Sequence, residues 1–353
     1  MKKKVSLCDF LSYIPKFFPT FIDNFFVYRW PKAVKRGPLF VSWDLSHICN
    51  LRCIHCAVWK QKKEGLSFGQ KINIIRQLGR AGVFYLGLGG GEPLLDEHLG
   101  DLIKEAKKWR MVVNVSTNGL LLEDKTPMLI DAGVDYVTIS VDSHLSSVHD
   151  AIRGYPGLLE KVKKGISILK KDRQGKNPVI IIRTVVSNLN ISHLDRHIQY
   201  WESAADKIIF KPVSGNCIYY SVPESMRLCE QDKTKLDLAV KSIMKRATFF
   251  ERYYYQKFSD AFFNPARLKQ EFCCAGVSLA NIDCQGNLHC CGEQRFLLGN
   301  LRQTDFMTIW KNDRAREWRC SLKNGKRLCY CWSDCFMVNI LLSHLFGRNI
   351  GCH

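Results

Sequence analysis

The sequence predicts an α/β protein with a parallel sheet, followed by a small cysteine-rich α+β segment. Two observations predict the sheet. Short β-branched runs alternate with stretches of helical period six times between residues 39 and 212, and consecutive βα units join parallel strands through right-handed crossovers. A third observation predicts the second part: after residue 272 the chain becomes cysteine-dense, glycine-punctuated and poor in long helical patterns. With 353 residues there is material for one large domain, a smaller one and a substantial core. Six βα units suit either a doubly wound sheet or one curled into a barrel.

The elements follow in order. Phe40 to Leu45 reads as a strand running into a cysteine loop. Ser67 is a candidate helix N-cap, with Ile72, Ile75 and Leu78 following at helical spacing. Val83 to Leu88 is the second strand, Leu99 to Trp109 a helix, Met111 to Ser116 the third strand, and Met128 to Ala132 belongs to a helix. Val137 to Val141 is the fourth strand, followed by a helix near Leu158 to Leu169. Val179 to Val186 is the fifth strand, a helix lies around His193 to Trp201, and Ile208 to Phe210 is the sixth. The domain reading is therefore an amphipathic segment 1–38, a core 39–212, a helical connector 213–272 and a cysteine-rich domain 273–353. In the connector, the aromatic run Phe249 to Tyr255 suits packing better than base stacking.

Composition narrows the function. Fifty-two Lys and Arg against 33 Asp and Glu give a net charge of +19, which favours an anionic partner. No RNA-binding signature accompanies that charge, so nucleic acid is set aside. Twelve of the 16 cysteines gather at residues 49–56 and 273–335. Disulfide frameworks belong to much smaller secreted scaffolds, so this clustering points to metal ligation in a reducing compartment. Leu11 to Trp30 is interrupted by Pro15, Pro19, Asp23 and Asn24, so it reads as no membrane span. Lys2 to Lys4 precede apolar residues without a continuous apolar centre or a cleavage site. The expectation is a cytoplasmic protein with peripheral contact at the inner face of the membrane.

The motif that carries chemistry is Cys49-x3-Cys53-x2-Cys56. It offers three thiolates from one tight loop, whereas structural zinc and ordinary four-iron clusters take four ligands. A cluster held by three leaves one iron open to a small molecule. The competing reading is three loop cysteines that bind zinc. Gly89-Gly90-Gly91-Glu92-Pro93 follows the second strand, where glycine lets backbone approach a ligand closely. The third strand ends in Ser116-Thr117-Asn118-Gly119 and the fourth in Ser140-Val141-Asp142-Ser143, ahead of His149 to Gly154.

On these residues the chain resembles the radical S-adenosylmethionine (SAM) superfamily from about residue 39 to about residue 212. The resemblance implies a partial (β/α)6 TIM-like barrel with its chemistry at the carboxyl ends of the strands. It implies a 4Fe-4S cluster on Cys49, Cys53 and Cys56, with SAM on the open iron. SAM would be held by Gly90, Gly91, Glu92 and Pro93 at its amino group. Ser116, Asn118, Ser140, Asp142 and Arg153 would serve its carboxylate and ribose. It further implies reductive cleavage of SAM to a 5′-deoxyadenosyl radical that removes hydrogen from substrate, with a reduced flavodoxin- or ferredoxin-type electron donor.

Cys273-Cys274-Ala275-Gly276 and Gly286-x4-Cys291 resemble the SPASM/twitch extension of these enzymes. On that alignment Cys273 and Cys291 are ligands, with Cys274 and Cys290 as alternates. The later Cys329-x-Cys331-x3-Cys335 departs from the full SPASM spacing. The implied complement is therefore one auxiliary 4Fe-4S cluster, with Cys331 and Cys335 as further ligands and Cys329 as an alternate. A zinc knuckle is the competing reading.

The ends of the chain are apolar. Phe10, Ile14, Phe17, Phe18, Phe21, Ile22, Phe25 and Phe26 recur at helical spacing among cations, and Phe336 to Phe346 is similar. These ends fit either a membrane surface or packing over the barrel; Pro15 and Pro19 argue against one uninterrupted helix. Relatives with this extension mostly modify peptides or protein side chains, so a peptide substrate comes first and a membrane lipid second. A protein that uses its cluster for structure alone is the non-enzymatic alternative.

Overall fold

A computed structural model describes residues 17–27, 30, 33–61, 65–173, 175, 177–213, 222–270, 273–293, 295–323 and 332. Lys2 to Lys4, Phe10, Ile14, Cys329, Cys331, Cys335 and the 336–346 run lie outside the described residues.

Helix α1 covers residues 17–27. It is followed by β1 (Phe40–Ser46), α2 (Phe68–Arg80), β2 (Tyr85–Gly90), α3 (Leu99–Lys108), β3 (Val112–Thr117) and α4 (Leu122–Asp131). Next come β4 (Tyr136–Ser140), α5 (Ser146–Arg153), α6 (Leu158–Asp172), β5 (Val179–Val186), α7 (Leu194–Trp201) and β6 (Lys207–Pro212). The strands stand in the order β6-β5-β4-β3-β2-β1, all parallel. This is the parallel α/β core of a partial barrel.

Residue patterning explains why. Along β1, Val41, Trp43 and Leu45 are buried, while Ser42, Asp44 and Ser46 occupy the other face. Helix α2 starts where Ser67 predicts: Ser67 Oγ accepts from Gln70 N, and Gln70 Oε1 accepts from Ser67 N. This reciprocal pair satisfies two helix-end donors. Helix α5, by contrast, was not read from the sequence; its polar stretch Ser-Ser-Val-His-Asp carries little helical apolar period. Pro19 lies within the helical residues of α1 and does not end the helix there.

The helices α8 (Lys233–Met244), α9 (Phe249–Gln256) and α10 (Asp260–Phe263) follow. In α9 the aromatic run packs on the sheet: Tyr254 and Tyr255 are buried, and both hydroxyls hydrogen-bond the Phe210 backbone at 3.1 Å. The cysteine-rich part contributes β7 (Leu279–Ile282), β8 (Asn287–His289), β9 (Leu297–Asn300), α11 (Phe306–Lys311) and α12 (Asp313–Lys323). Strand β7 pairs in parallel with β1, and β8 and β9 continue antiparallel, so one nine-stranded sheet runs from β6 to β9. The C-terminal part thus extends the core sheet directly from the strand that leads into the cysteine loop.

Candidate active site

The cysteine loop leaves the carboxyl end of β1 and is gripped from three sides. From β2, Gly91 N donates to Ser46 O at 2.7 Å and Glu92 N to Ile48 O at 2.8 Å. From β3, Asn118 Nδ2 donates to Asn50 Oδ1 at 2.8 Å and lies 3.9 Å from Cys49 Sγ. From α5, Ile54 N reaches Ile152 O at 3.0 Å. Two glycines make the grip tight. A Cβ on Gly91 would stand 2.1 Å from Ile48 O, and one on Gly154, at φ +67°, would stand 2.5 Å from Arg52 O. Only glycine allows that approach. Gly91→Ala is therefore expected to displace the loop and lower the iron the purified protein retains. Gly69→Ala, with nothing within 4 Å of the added carbon, should leave iron content unchanged; equal loss in both would refute this role for Gly91.

The three thiols lie within reach of one another's fields. Burial raises the Cys49 pKa and pushes Cys53 up to about 11, with the Arg153 guanidinium opposing the rise at Cys53. Iron takes thiolate ligands, so a cation beside Cys53 suits ligation. Burial, followed by Arg153, lowers His55 to about 4, leaving a neutral ring inside the loop.

Asp142 and Arg153, both expected at SAM, form a buried two-bond ion pair: Arg153 Nε to Asp142 Oδ2 at 2.7 Å and Nη2 to Oδ1 at 3.0 Å. Val185 N adds a donor to Asp142 Oδ1 at 3.0 Å. Burial raises Asp142, but the fields of Arg153, His55 and His149 outweigh it and hold the carboxyl below its ordinary range. The pair thus places a fixed guanidinium against the cluster loop at the end of α5.

Glu92 is buried and accepts from Thr117 Oγ1 at 2.7 Å, Asn118 N at 2.8 Å and Leu94 N at 3.0 Å. Its carboxylate thereby ties the β2 loop to the end of β3. Burial raises it to about 7. A carboxyl raised in the folded state contributes stability below the ordinary carboxylate range and loses it as pH rises through about 7. Apoprotein melting temperature should therefore fall between pH 5 and pH 8 more steeply in the wild type than in Glu92→Gln; identical slopes would refute this. Ser116 and Ser140 lie half-buried on the sheet face that carries Asp44, and Gly90 sits at φ +112° against the Asp44 and Ser46 backbone.

In the C-terminal part, Cys273 and Cys291 are half-buried and Cys290 is buried, with the fields of Cys291 and Cys273 reaching Cys290. Burial pushes the Cys290 thiol up strongly, against the opposing charge of Arg319. Cys274, also buried, packs with Leu39. Arg319 Nε donates to Gly276 O at 2.7 Å and Trp318 Nε1 to Ala275 O at 2.8 Å, fixing the loop that follows Cys273.

Sequence reasoning missed a bridge between the two parts. In the loop after Cys291, Arg295 Nη2 pairs with Asp44 Oδ2 of β1 at 3.3 Å, and Glu293 Oε1 lies 4.0 Å from Lys211 Nζ of β6. One short loop thus touches both the first and the last strand of the barrel, and the four side chains of these two contacts are largely buried. Burial raises Asp44 to about 6, with Arg295 opposing the rise. No signal short of the structure links residues 251 positions apart.

A loop of three cysteine thiols at the carboxyl end of β1, held by the glycine turn after β2 and backed by a guanidinium, is the candidate cluster site. The chain matches the Radical SAM superfamily over residues 43–200 and the SPASM iron-sulfur cluster-binding domain over residues 273–336, which together span well over half of it. It belongs to the radical SAM superfamily and is an enzyme with a SPASM domain. The second match replaces the zinc reading of the C-terminal cysteines. The chain is 27% identical over 295 residues to mycofactocin maturase MftC of Mycobacterium tuberculosis, covering 78% of this chain and 71% of that protein. It is 26% identical over 313 residues to pre-heme d1 synthase of Dinoroseobacter shibae, covering 79% and 75%. Streptococcus suis SuiB bound to S-adenosylmethionine superposes with a TM-score of 0.63 at 14% identity, covering 82% of this chain and 69% of that one. anSMEcpe with bound AdoMet and a peptide gives 0.61 at 17% identity, covering 83% and 84%.

The cysteines present suit the chemistry of iron-sulfur ligation, since iron takes thiolates: Cys49, Cys53 and Cys56 would hold a 4Fe-4S cluster, and Cys273, Cys290 and Cys291 would offer thiolates to an auxiliary one. Among the described residues no three His, Cys, Asp or Glu side chains are gathered as the ligands of a metal ion. Among the described residues, no helix is long and apolar enough to cross a membrane.

Proposed function

We propose that the protein modifies a peptide or protein side chain by radical chemistry drawn from SAM, inside a reducing cytoplasm. The observation that carries this is the three-thiolate loop clamped against the glycine turn of β2. When bound and reduced, the cluster supplies the electron that splits SAM into methionine and a 5′-deoxyadenosyl radical. The chain's own residues do the rest. Gly90 and Gly91 give SAM backbone to lie against, and Glu92 holds that turn by its three hydrogen bonds. Ser116 and Ser140 offer hydroxyls on the barrel's inner face. Arg153 is fixed by Asp142 and keeps its charge beside the cluster loop. The Arg295 and Glu293 loop lies between β1 and β6, where a substrate entering from the C-terminal side would meet Asp44 and Lys211. Cys273 and Cys291 would hold the auxiliary cluster, together with Cys331 and Cys335. A flavodoxin- or ferredoxin-type protein would deliver electrons.

Support for a peptide comes from relatives and neighbours: a mycofactocin maturase, and SuiB bound to precursor peptide SuiA. A membrane lipid is the second reading, favoured by the aromatic residues that α1 turns outward. The test is production of 5′-deoxyadenosine by anaerobically reconstituted, reduced protein. Stimulation by the peptide fraction of a cell extract supports the first reading. Stimulation by the lipid extract alone would overturn it in favour of the second.

A further inference from the structure

Helix α1 is fixed to the body by its polar side chains, which decides what its apolar residues face. Thr20 Oγ1 donates to Gly82 O at 2.9 Å, and Asn24 Nδ2 donates to Gly37 O at 2.9 Å while its Oδ1 accepts from Leu39 N at 3.2 Å. The Asp23 carboxylate accepts from Arg36 N at 2.8 Å and from Lys35 N at 3.2 Å. Phe17 and Phe21 lie on the body side, where Phe17 meets Phe84 edge-on at 5.2 Å between ring centroids. These contacts leave no rotation about the helix axis.

The opposite face is apolar and open. Phe18, Ile22, Phe26 and Trp30 recur every fourth residue and are 55%, 40%, 45% and 54% exposed. Phe26 and Trp30 stack at 5.7 Å. Beside them runs a groove of about 380 Å³ between Pro19, Ile22 and Phe26 on one wall and Ala33, Lys35 and Arg36 on the other. Lys35 and Arg36 are exposed, whereas Asp23, the acid in the groove, is buried and bound to their backbone N–H groups. The rim therefore presents positive charge, on a chain of net charge +19.

A contiguous exposed aromatic stripe marks an interaction site. Large apolar and aromatic side chains in one plane beside cations match the boundary of an anionic bilayer, where rings enter the acyl edge and cations meet phosphate. We propose that α1 is an interfacial anchor that lays Phe18, Ile22, Phe26 and Trp30 on an anionic lipid surface, with Lys35 and Arg36 at its phosphates. The anchor is independent of the radical chemistry, so its failure would leave the proposed function standing.

The test is co-sedimentation of the full-length holoprotein with phosphatidylcholine vesicles, with and without added phosphatidylglycerol. The variants are Phe18→Glu with Phe26→Glu, and Lys35→Glu with Arg36→Glu. The wild type should bind only the anionic vesicles, and the aromatic double variant should lose about tenfold or more in affinity. The charge-reversed variant should weaken in the same direction, and added salt should weaken the wild type. Four outcomes would overturn the proposal. Wild-type protein could fail to bind, or the aromatic variant could bind equally. A self-association that the aromatic variant abolishes would make a second copy the occupant. A lowered melting temperature in that variant, without vesicle binding by the wild type, would assign the stripe to a segment of the same chain.

Discussion

Replacing Cys49, Cys53 and Cys56 together by Ala is expected to remove about four irons per chain, one cluster's worth, and all cleavage of SAM. The reason is geometric. The three thiols come from one loop, and each side of that loop is held by a different element: Gly91 and Glu92 from β2, Asn118 from β3, Ile152 from α5. The loop therefore persists without metal, and the loss should be local. The variant should fold, keep its C-terminal cluster, and retain about four irons on the thiolates around Cys273, Cys290 and Cys291. Iron quantification after anaerobic reconstitution checks both halves. Loss of all iron would mean that the second site does not stand alone, and zinc in place of iron would contradict the account of both sites.

The second large effect concerns Arg153. Its guanidinium makes two bonds to Asp142, whose side chain is fully buried. Removing one partner of a buried ion pair strands the other charge and costs about 3–5 kcal/mol. Arg153→Met should therefore lower stability by that amount in chemical denaturation. Adding Asp142→Asn should recover roughly 1–3 kcal/mol, because the stranded charge is gone. Strictly additive losses would show that the two residues do not depend on one another. Arg153→Lys should recover little, since an ammonium cannot reproduce the two-bond fork. Because Arg153 also faces Cys53, the single variant should retain less iron than its fold alone would explain.

Much of the core was legible because its signals are local. Val179 to Val186 is β-branched at every position but Arg183, and the structure keeps both its ends. Ser67 announces α2 by a capping box written in four residues. The cysteine loop and the glycine turn were legible because their spacing is itself the chemistry. What stayed hidden depends on distance in sequence or on direction in space. Strand β7 has four residues inside a cysteine-dense stretch, too few to show a period, and nothing local says that it pairs with β1. The motif located Glu92 but not the direction of its carboxylate, which Thr117, Asn118 and Leu94 determine. Likewise the resemblance points Asp142 and Arg153 each toward SAM, and only the fold shows that they hold each other. The amphipathic N-terminus gave the helix but not its facing. Thr20, Asp23 and Asn24 decide that, by pinning one side and leaving Phe18, Ile22 and Phe26 outside.

The central claim is that the Cys49, Cys53 and Cys56 loop holds a cluster with one iron open to SAM beside the Gly89–Pro93 turn. The most direct measurement is electron paramagnetic resonance of the reduced protein with SAM carrying a labelled amino nitrogen. The Cys273→Ala, Cys291→Ala background isolates the first cluster. The account predicts a reduced four-iron signal that shifts on adding SAM and couples to the labelled nitrogen. A signal indifferent to SAM, with no coupling, would contradict it.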